Sequence, residues 1–206
     1  MVESVIWDNE ITLKNIYNMD ETGNLISTLQ RVQVIVNSTS QMQYKAQPGR
    51  QEWVTAVKCI CADGTAISPL FIFKGDNVST GWIPKDVDAE WKFTSNSKGW
   101  TSNAIGLEWL QKVFDPATRE KADGQPRLLI CDGHNSHISG DFISYCIESN
   151  IILMLLPAHT SHLLQPLDVG LFSPLKSAIS SSLDRLIRTK VSRIQKAEWL
   201  DIYQEA

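Results

Sequence analysis

Residues Leu128–His137, LLICDGHNSH, set four apolar residues directly against an aspartate, a glycine and two histidines three apart. The apolar run Leu128–Cys131 is strand-length and unbroken, the pattern of a strand covered on both faces. A second such run, Ile151–Leu155 (IILML), follows after a helical stretch, Asp141–Glu148. Two buried strands joined by a helix make a β-α-β unit, and its strands run parallel. Asp132 then stands just past the carboxyl end of the first of them. Two readings of it stand side by side. Asp132-Gly133 is a turn signal that could simply close the strand, or Asp132 is one ligand of a metal site.

Upstream, Asn15–Met19 (NIYNM) is a short β-like run ending on Asp20, and DETG from Asp20 to Gly23 supplies turn chemistry. Arg31–Val36 alternates as a short strand does, and Gln41–Arg50 is polar loop. Glu52–Ala62 and Thr65–Lys74 are β-rich and flank Asp63-Gly64, which predicts a hairpin. Gly75–Lys98 shows no periodicity and reads as an irregular insertion, over about 75–100, anchored by Trp82 and Trp91. A helical pattern starts after Thr101 and runs to Phe114, where Asp115-Pro116 is expected to stop it. After Pro157 comes a loop rich in His and Pro, and from Val169 to about Lys196 a long helical pattern. A hairpin beside a first strand, then β-α-β and a closing helix, describes an α/β fold: a mixed sheet flanked by helices.

The bulk composition agrees. The chain has 206 residues, 43% hydrophobic and 20% charged, which suits one globular domain. A formal charge of −4 nominates no nucleic-acid partner by itself, but the charge is unevenly spread. Leu171–Lys196 carries a net +5 and leaves −9 elsewhere. The acidic start, MVESVIWDNE, lacks the basic and apolar regions of a secretory signal. The longest apolar run, Ile151–Leu156, is far short of the roughly 20 residues a spanning helix needs, so no membrane role is expected. Cys59, Cys61, Cys131 and Cys146 lie mostly in apolar stretches and read as reduced core thiols of an intracellular protein.

Three aspartates fall at expected element ends: Asp20 after the first strand, Asp132 after LLIC, and Asp168 in LLQPLDVG before the last helix. In open α/β sheets, ligands gather beyond the carboxyl ends of the parallel strands. Neighbouring strands lie about 4.8 Å apart, close enough for two carboxylates to share a cation. Bare like charges about 4 Å apart would repel by roughly 4 kcal/mol at an effective dielectric near 20, so a metal makes such a cluster tolerable. All-oxygen ligands suit magnesium or manganese, and two such ions serve phosphodiester chemistry. The plain alternatives stay open here: turn residues at Asp20 and Asp132, and a helix N-cap at Asp168.

The wording of four stretches adds a resemblance. NIYNMDETG, GWTSNAIGLEWLQKVFDPATR, RLLICDGHNSH and NIILMLLPAHTSHLLQPLDVGLFSPLK, in this order, resemble the DDE superfamily endonuclease domain of pogo/Fot1-like transposases of the Tc1/mariner group, fungal type. The resemblance implies an RNase H-like mixed sheet, a catalytic and metal-binding triad of Asp20, Asp132 and Asp168, and two Mg²⁺ or Mn²⁺ ions. It further implies cleavage at transposon ends, strand transfer into target DNA, a homodimer on those ends, and a nuclear location. Residues 1–14 would be a linker, 15–176 the catalytic domain, and 177–206 a basic helical extension. Transposases of this type carry N-terminal helix-turn-helix domains, and nothing before Asn15 reads as one. A domesticated or truncated remnant that binds nucleic acid or chromatin without cutting is therefore the alternative.

His134 and His137, then His159 and His162, form two H-x-x-H pairs. With Cys131 they could form a zinc site, but they lie on two different loops. His134, His137 and His162 are read instead as groups facing phosphate or orienting the carboxylates, beside the plain reading of structural hydrogen bonds. Lys176, Arg185, Arg188, Lys190 and Arg193 are candidates for DNA-backbone contacts, against a merely solvated helix face. Positions 185, 188, 192 and 196 share one face of the expected helix.

Overall fold

A computed structural model describes residues 2–26, 52–133, 139–157, 160–189 and 194–206, with side chains except those of 161, 162 and 187–189. The expected strand Arg31–Val36 and the loop Gln41–Arg50 lie outside the described residues. The elements, in order, are α1 (Val2–Asp8), β1 (Ile16–Leu25), β2 (Trp53–Cys61), β3 (Ala66–Lys74), β4 (Lys92–Asn96), α2 (Asn103–Trp109), α3 (Asp115–Ala122), β5 (Arg127–Cys131), α4 (Gly140–Glu148), β6 (Ile151–Leu155), α5 (Ser161–Leu164), α6 (Phe172–Thr189) and α7 (Lys196–Glu205). The sheet has six strands in the order β4-β3-β2-β1-β5-β6. β1-β2 and β2-β3 are antiparallel, whereas β3-β4, β1-β5 and β5-β6 are parallel. The expected mixed sheet, its hairpin and its β-α-β unit are all present.

Four local expectations fail. β1 does not end at Met19: Asp20–Leu25 continue the strand, paired with Trp53–Lys58 of β2. The turn chemistry of DETG is a local preference, and it yields to that ladder. The helix does not stop at Asp115-Pro116 but continues through a π-helical turn, Leu110–Phe114, into α3. A proline ring clashes with the carbonyl four residues back in a regular helix, and the wider turn just before Pro116 relieves that conflict. The stretch after Gly75 is not wholly irregular, since β4 pairs in parallel with Leu70–Lys74. Its tryptophans do anchor it: Trp82 packs against Phe73 and Trp91 against Phe71. Finally, the long helix does not reach Lys196, which begins α7 behind a capping box of Gln195 and Glu198.

Pro69 interrupts β3, and there the register with β2 slips, from Val57↔Leu70 to Cys59↔Ile67. A strand proline has no N–H for the ladder, so a bulge is where it can sit.

Strand alternation sorts the core into two faces. One face (Tyr17, Met19, Val57, Cys59, Leu129, Cys131) packs on Trp109, Leu110, Phe114 and Phe142. On the other, cover comes in two patches. Phe71, Phe73, Ile179, Trp199, Leu200 and Tyr203 close over β2-β3, and Ile11, Leu128 and Met154 close over β5-β6. Between these patches β1 turns Asn18, Asp20, Thr22 and Asn24 to the same face, all buried. All four cysteines are buried and free. Among the described residues, no helix is long and apolar enough to cross a membrane.

Candidate active site

Parallel pairing of β1 with β5 sets Asn18 opposite Ile130. Two residues further along both strands stand Asp20 and Asp132, so the two acids leave neighbouring parallel strands at one level. β5 ends at Cys131, while β1 runs on as the antiparallel partner of β2. Asp132 therefore does cap a strand, but Asp20 sits in mid-strand where its parallel neighbour has just ended. That geometry keeps Asp20 at a carboxyl-end crevice although its own strand continues.

Asp168 arrives from elsewhere in the chain. It lies in a π-helical turn, Leu167–Leu171, that opens α6, and its side chain is exposed. It is not the N-cap, since Pro166 precedes the turn. What brings this turn to β1 is a pair of buried amides that the sequence reading passed over. Gln165 Nε2 donates to the carbonyl of Met19 at 2.8 Å, and Asn18 Nδ2 donates to Gln165 Oε1 at 3.2 Å. Asn18 Nδ2 also reaches the carbonyl of Ile130 at 3.1 Å, and Asn18 Oδ1 accepts from the Leu167 N–H at 3.2 Å. Their signal was a polar residue set inside apolar text, in IYNMD and in LLQPL.

The electrostatics fit a converging group of acids. Burial pushes the Asp20 carboxyl up to about 7, against the pull of the Glu21 N–H, and the charges of Asp168 and Asp132 push it the same way. The Glu21 N–H donates to Asp20 Oδ1 at 2.8 Å. Among the described residues no Lys or Arg pairs with Asp20. Nor do any three His, Cys, Asp or Glu side chains stand ready-made as a metal-binding group. The carboxylates thus feel one another without closing on a common point. The donor set is nonetheless one a hard divalent cation fits: oxygen only, with a buried carboxylate that makes no ion pair among the described residues.

Of the other candidates, His134, His137, Lys190 and Arg193 lie outside the described residues, as do the side chains of His162 and Arg188. Lys176 is exposed, with its ammonium 5.7 Å from the Phe172 ring centre. Arg185 is exposed too, but it borders a groove of about 320 Å³ lined also by Glu198, Asp201 and Glu205, which compete for its charge. Lys196 does not share an outer face with Arg185. It is buried, donates to the carbonyl of Lys74 at 3.2 Å and stands 3.3 Å from the Trp82 ring centre.

A mixed sheet of this order, with Asp20 and Asp132 side by side where the parallel strand β5 ends, has the RNase H-like arrangement. The chain belongs to the DDE superfamily endonuclease family, whose model matches residues 50–202. It is 40% identical, over 94% of its length and 21% of the relative's, to a Cochliobolus lunatus protein named MFS-type transporter clz9. That name describes the relative, and no transport function follows for this chain. It is 26% identical to the mouse pogo transposable element with KRAB domain, over 79% of this chain and 26% of that one. Among solved structures, the Mos1 transposase paired-end complex with left transposon end matches 98% of this chain and 55% of that one, with a TM-score of 0.57 at 15% identity. The Mos1 paired-end complex with Mg matches 99% and 58%, again with a TM-score of 0.57 at 15% identity. The chain spans about a fifth to a quarter of the length of these two sequence relatives.

Proposed function

We propose that this chain is a transposase catalytic core, a DNA endonuclease and strand transferase whose acids are Asp20, Asp132 and Asp168. The observation that carries the reading is the buried Asp20 carboxyl set level with Asp132 where β5 ends, its pKa raised to about 7 by burial and by the charges of Asp168 and Asp132, with no ion pair to it among the described residues. In this reading Asp20, Asp132 and Asp168 would together hold two Mg²⁺ or Mn²⁺ ions. Such ions supply charge neutralisation at the phosphate and lower the pKa of an attacking water. Support for divalent ions and for DNA comes from the Mos1 structures, which are complexes with Mg and with a transposon end.

The chain's own contribution is positioning. Asp20 is fixed by the β1 ladder and by the Glu21 N–H, and Asp132 by the buried end of β5. Asp168 rides on the π-helical turn that leads into α6, held to β1 through Gln165 and Leu167. In the hydrolytic step the water oxygen bonds to phosphorus, the bridging P–O bond breaks, and the departing strand keeps that oxygen. In strand transfer the freed 3′-hydroxyl takes the place of water. Lys176, on α6 beyond Asp168, contacts the DNA backbone, with Arg185, Arg188, Lys190 and Arg193 as further candidates. His134, His137 and His162 face phosphate or orient the carboxylates. A homodimer on paired transposon ends, acting in the nucleus, completes the reading.

The test is nicking of supercoiled plasmid with Mg²⁺ or Mn²⁺ by the chain and by Asp20→Ala, Asp132→Ala and Asp168→Ala. Metal-dependent nicking lost in all three variants supports the proposal. Nicking that survives any of them removes that acid from the site. DNA binding without nicking in either metal moves the chain to the non-cleaving, remnant reading.

A further inference from the structure

We infer that Asn18 and Gln165 are positioning residues that set the mutual spacing of the three aspartates, and with it the affinity of the chain for a divalent cation. The inference rests on the proposed reading of Asp20, Asp132 and Asp168 as metal ligands. Its basis is where the hydrogen bonds of the two amides fall. Asn18 is two residues before Asp20, and its Nδ2 donates to Ile130, two residues before Asp132. Its Oδ1 accepts from Leu167, the residue before Asp168. Gln165, three residues before Asp168, donates to Met19, the residue before Asp20. Asn18 Nδ2 to Gln165 Oε1 closes the set. One pair of side chains thus touches the flank of every acid.

Burial makes the pair informative. Asn18 is 5% exposed and Gln165 0% exposed, and buried amides persist only where their donors and acceptors are matched. Two apolar side chains would fill the same space without dictating which residue of the turn lies over which residue of the strand. Hydrogen bonds with fixed donors and acceptors do dictate it. The Leu167 N–H, moreover, is one of the donors that a helix start leaves without an internal partner, and Asn18 caps it from another strand. Along the sequence 149 residues separate that donor from its acceptor, so this cap ties the turn of Asp168 to β1 across the fold. Groups behind metal ligands typically change affinity about 10–100-fold when removed, because they orient the ligands.

The experiment is titration of the metal-free chain with Mn²⁺, followed by the electron paramagnetic resonance signal of the free ion, on wild type, Asn18→Leu, Gln165→Met and the double variant. Circular dichroism checks that each is folded. Expected are Mn²⁺ dissociation constants weaker by about tenfold or more in each single variant. The double variant should lose little beyond either single one, because the amides act as one unit. Val113→Ala, a core truncation on the opposite face, should lower the thermal midpoint and leave Mn²⁺ binding unchanged, which separates positioning from general loosening. Should Gln165→Met not fold, Gln165→Asn keeps the amide but withdraws it by one methylene, and it carries the same expectation. Wild-type affinity in Asn18→Leu and in a folded Gln165 variant overturns the inference while Asp20→Ala and Asp168→Ala still abolish binding. Binding indifferent to those aspartates overturns the functional reading itself.

Discussion

Asp20→Asn should make the metal-free protein more stable at about pH 8 and somewhat less stable at about pH 4, where no ionisation penalty is left to relieve. In the folded chain the Asp20 carboxyl titrates near about 7 instead of 3.8. Ionising a carboxyl held that high costs about 4 kcal/mol more than in water, at about 1.4 kcal/mol for each tenfold change in proton affinity. The sign follows from proton binding. Between about pH 4 and about pH 7 the folded state holds a proton at Asp20 that the unfolded state has released, so stability falls as pH rises through this window and is flat above it. Asparagine cannot ionise and keeps an oxygen to accept the Glu21 N–H, but its new N–H₂ donors need partners in a buried place. A buried donor left unmatched costs about 1–3 kcal/mol, so the net gain at about pH 8 is about 2 kcal/mol. For a chain of this size that raises the thermal midpoint by about 4–8 °C. The assay is thermal unfolding by circular dichroism in EDTA at both pH values. Replacing EDTA with Mg²⁺ should then raise the midpoint of the wild type and not of the variant. An equal change at both pH values, or a loss of stability at about pH 8, would refute the reasoning.

Other expectations concern the scaffold. Asp115 and Arg127 form a buried pair at 2.8 Å with side-chain exposures of 3% and 4%, so Asp115→Ala should cost about 3–5 kcal/mol in denaturant unfolding by stranding Arg127. Burial alone would raise the Asp115 pKa, but hydrogen bonds from Arg127, Tyr145 and Arg119 outweigh it and hold it low. That stabilisation is present at neutral pH and is lost as pH falls below the ordinary carboxyl range, so Asp115→Ala should also blunt the acid limb of the stability profile. Gly99→Ala places a Cβ 3.1 Å from Lys74 N at φ +73°, whereas Gly64→Ala has open space at φ +90°. Left-handed strain alone costs about 1–2 kcal/mol, so the thermal midpoint should drop visibly more at Gly99 than at Gly64. Lys196→Ala should lower stability by about 1–2 kcal/mol through loss of its ring contact and leave the salt dependence of DNA binding alone. Lys176→Ala should do the reverse, with a shallower salt slope in fluorescence anisotropy.

What could be read from the sequence and what could not divides along one physical line. β5, α4 and β6 were legible because Leu128–Cys131 and Ile151–Leu155 are apolar throughout and the helix between them is not. The hairpin was legible because Asp63-Gly64 names its own turn. The adjacency of Asp20 and Asp132 followed from the rule that ligands gather where parallel strands end. The run of β1 past Asp20 was hidden, because only the pairing of Glu21–Leu25 with β2 overrides the turn chemistry of DETG. β4 was hidden for a like reason: KFTSN is a short strand carrying polar residues, and it exists because β3 offers a parallel edge. α7 escaped notice as a separate helix, although Trp199, Leu200 and Tyr203 close the core over β2 and β3. The run of β1 past Asp20 and the pairing of β4 are held by partners far away in sequence.

The same division explains the build of the site. A cluster of carboxylates works against folding, and a nearby lysine or arginine would relieve it cheaply. Such a cation would also occupy the place and the charge that a metal needs. Among the described residues the buried cations are spent elsewhere, Arg127 on Asp115 and Lys196 on the Trp82 ring and the Lys74 carbonyl, while half-buried Lys58, opposite Asp20 on β2, lies over the Tyr203 ring rather than in an ion pair. The acid-bearing segments are instead tied together by amides, which carry no net charge and leave the repulsion in place. Aromatic packing on both faces of the sheet supplies the stability that the site forgoes. A fold stabilised that way can hold ionised Asp20 in a state that an incoming divalent cation relieves, so the instability of the metal-free site and its affinity for metal have one cause.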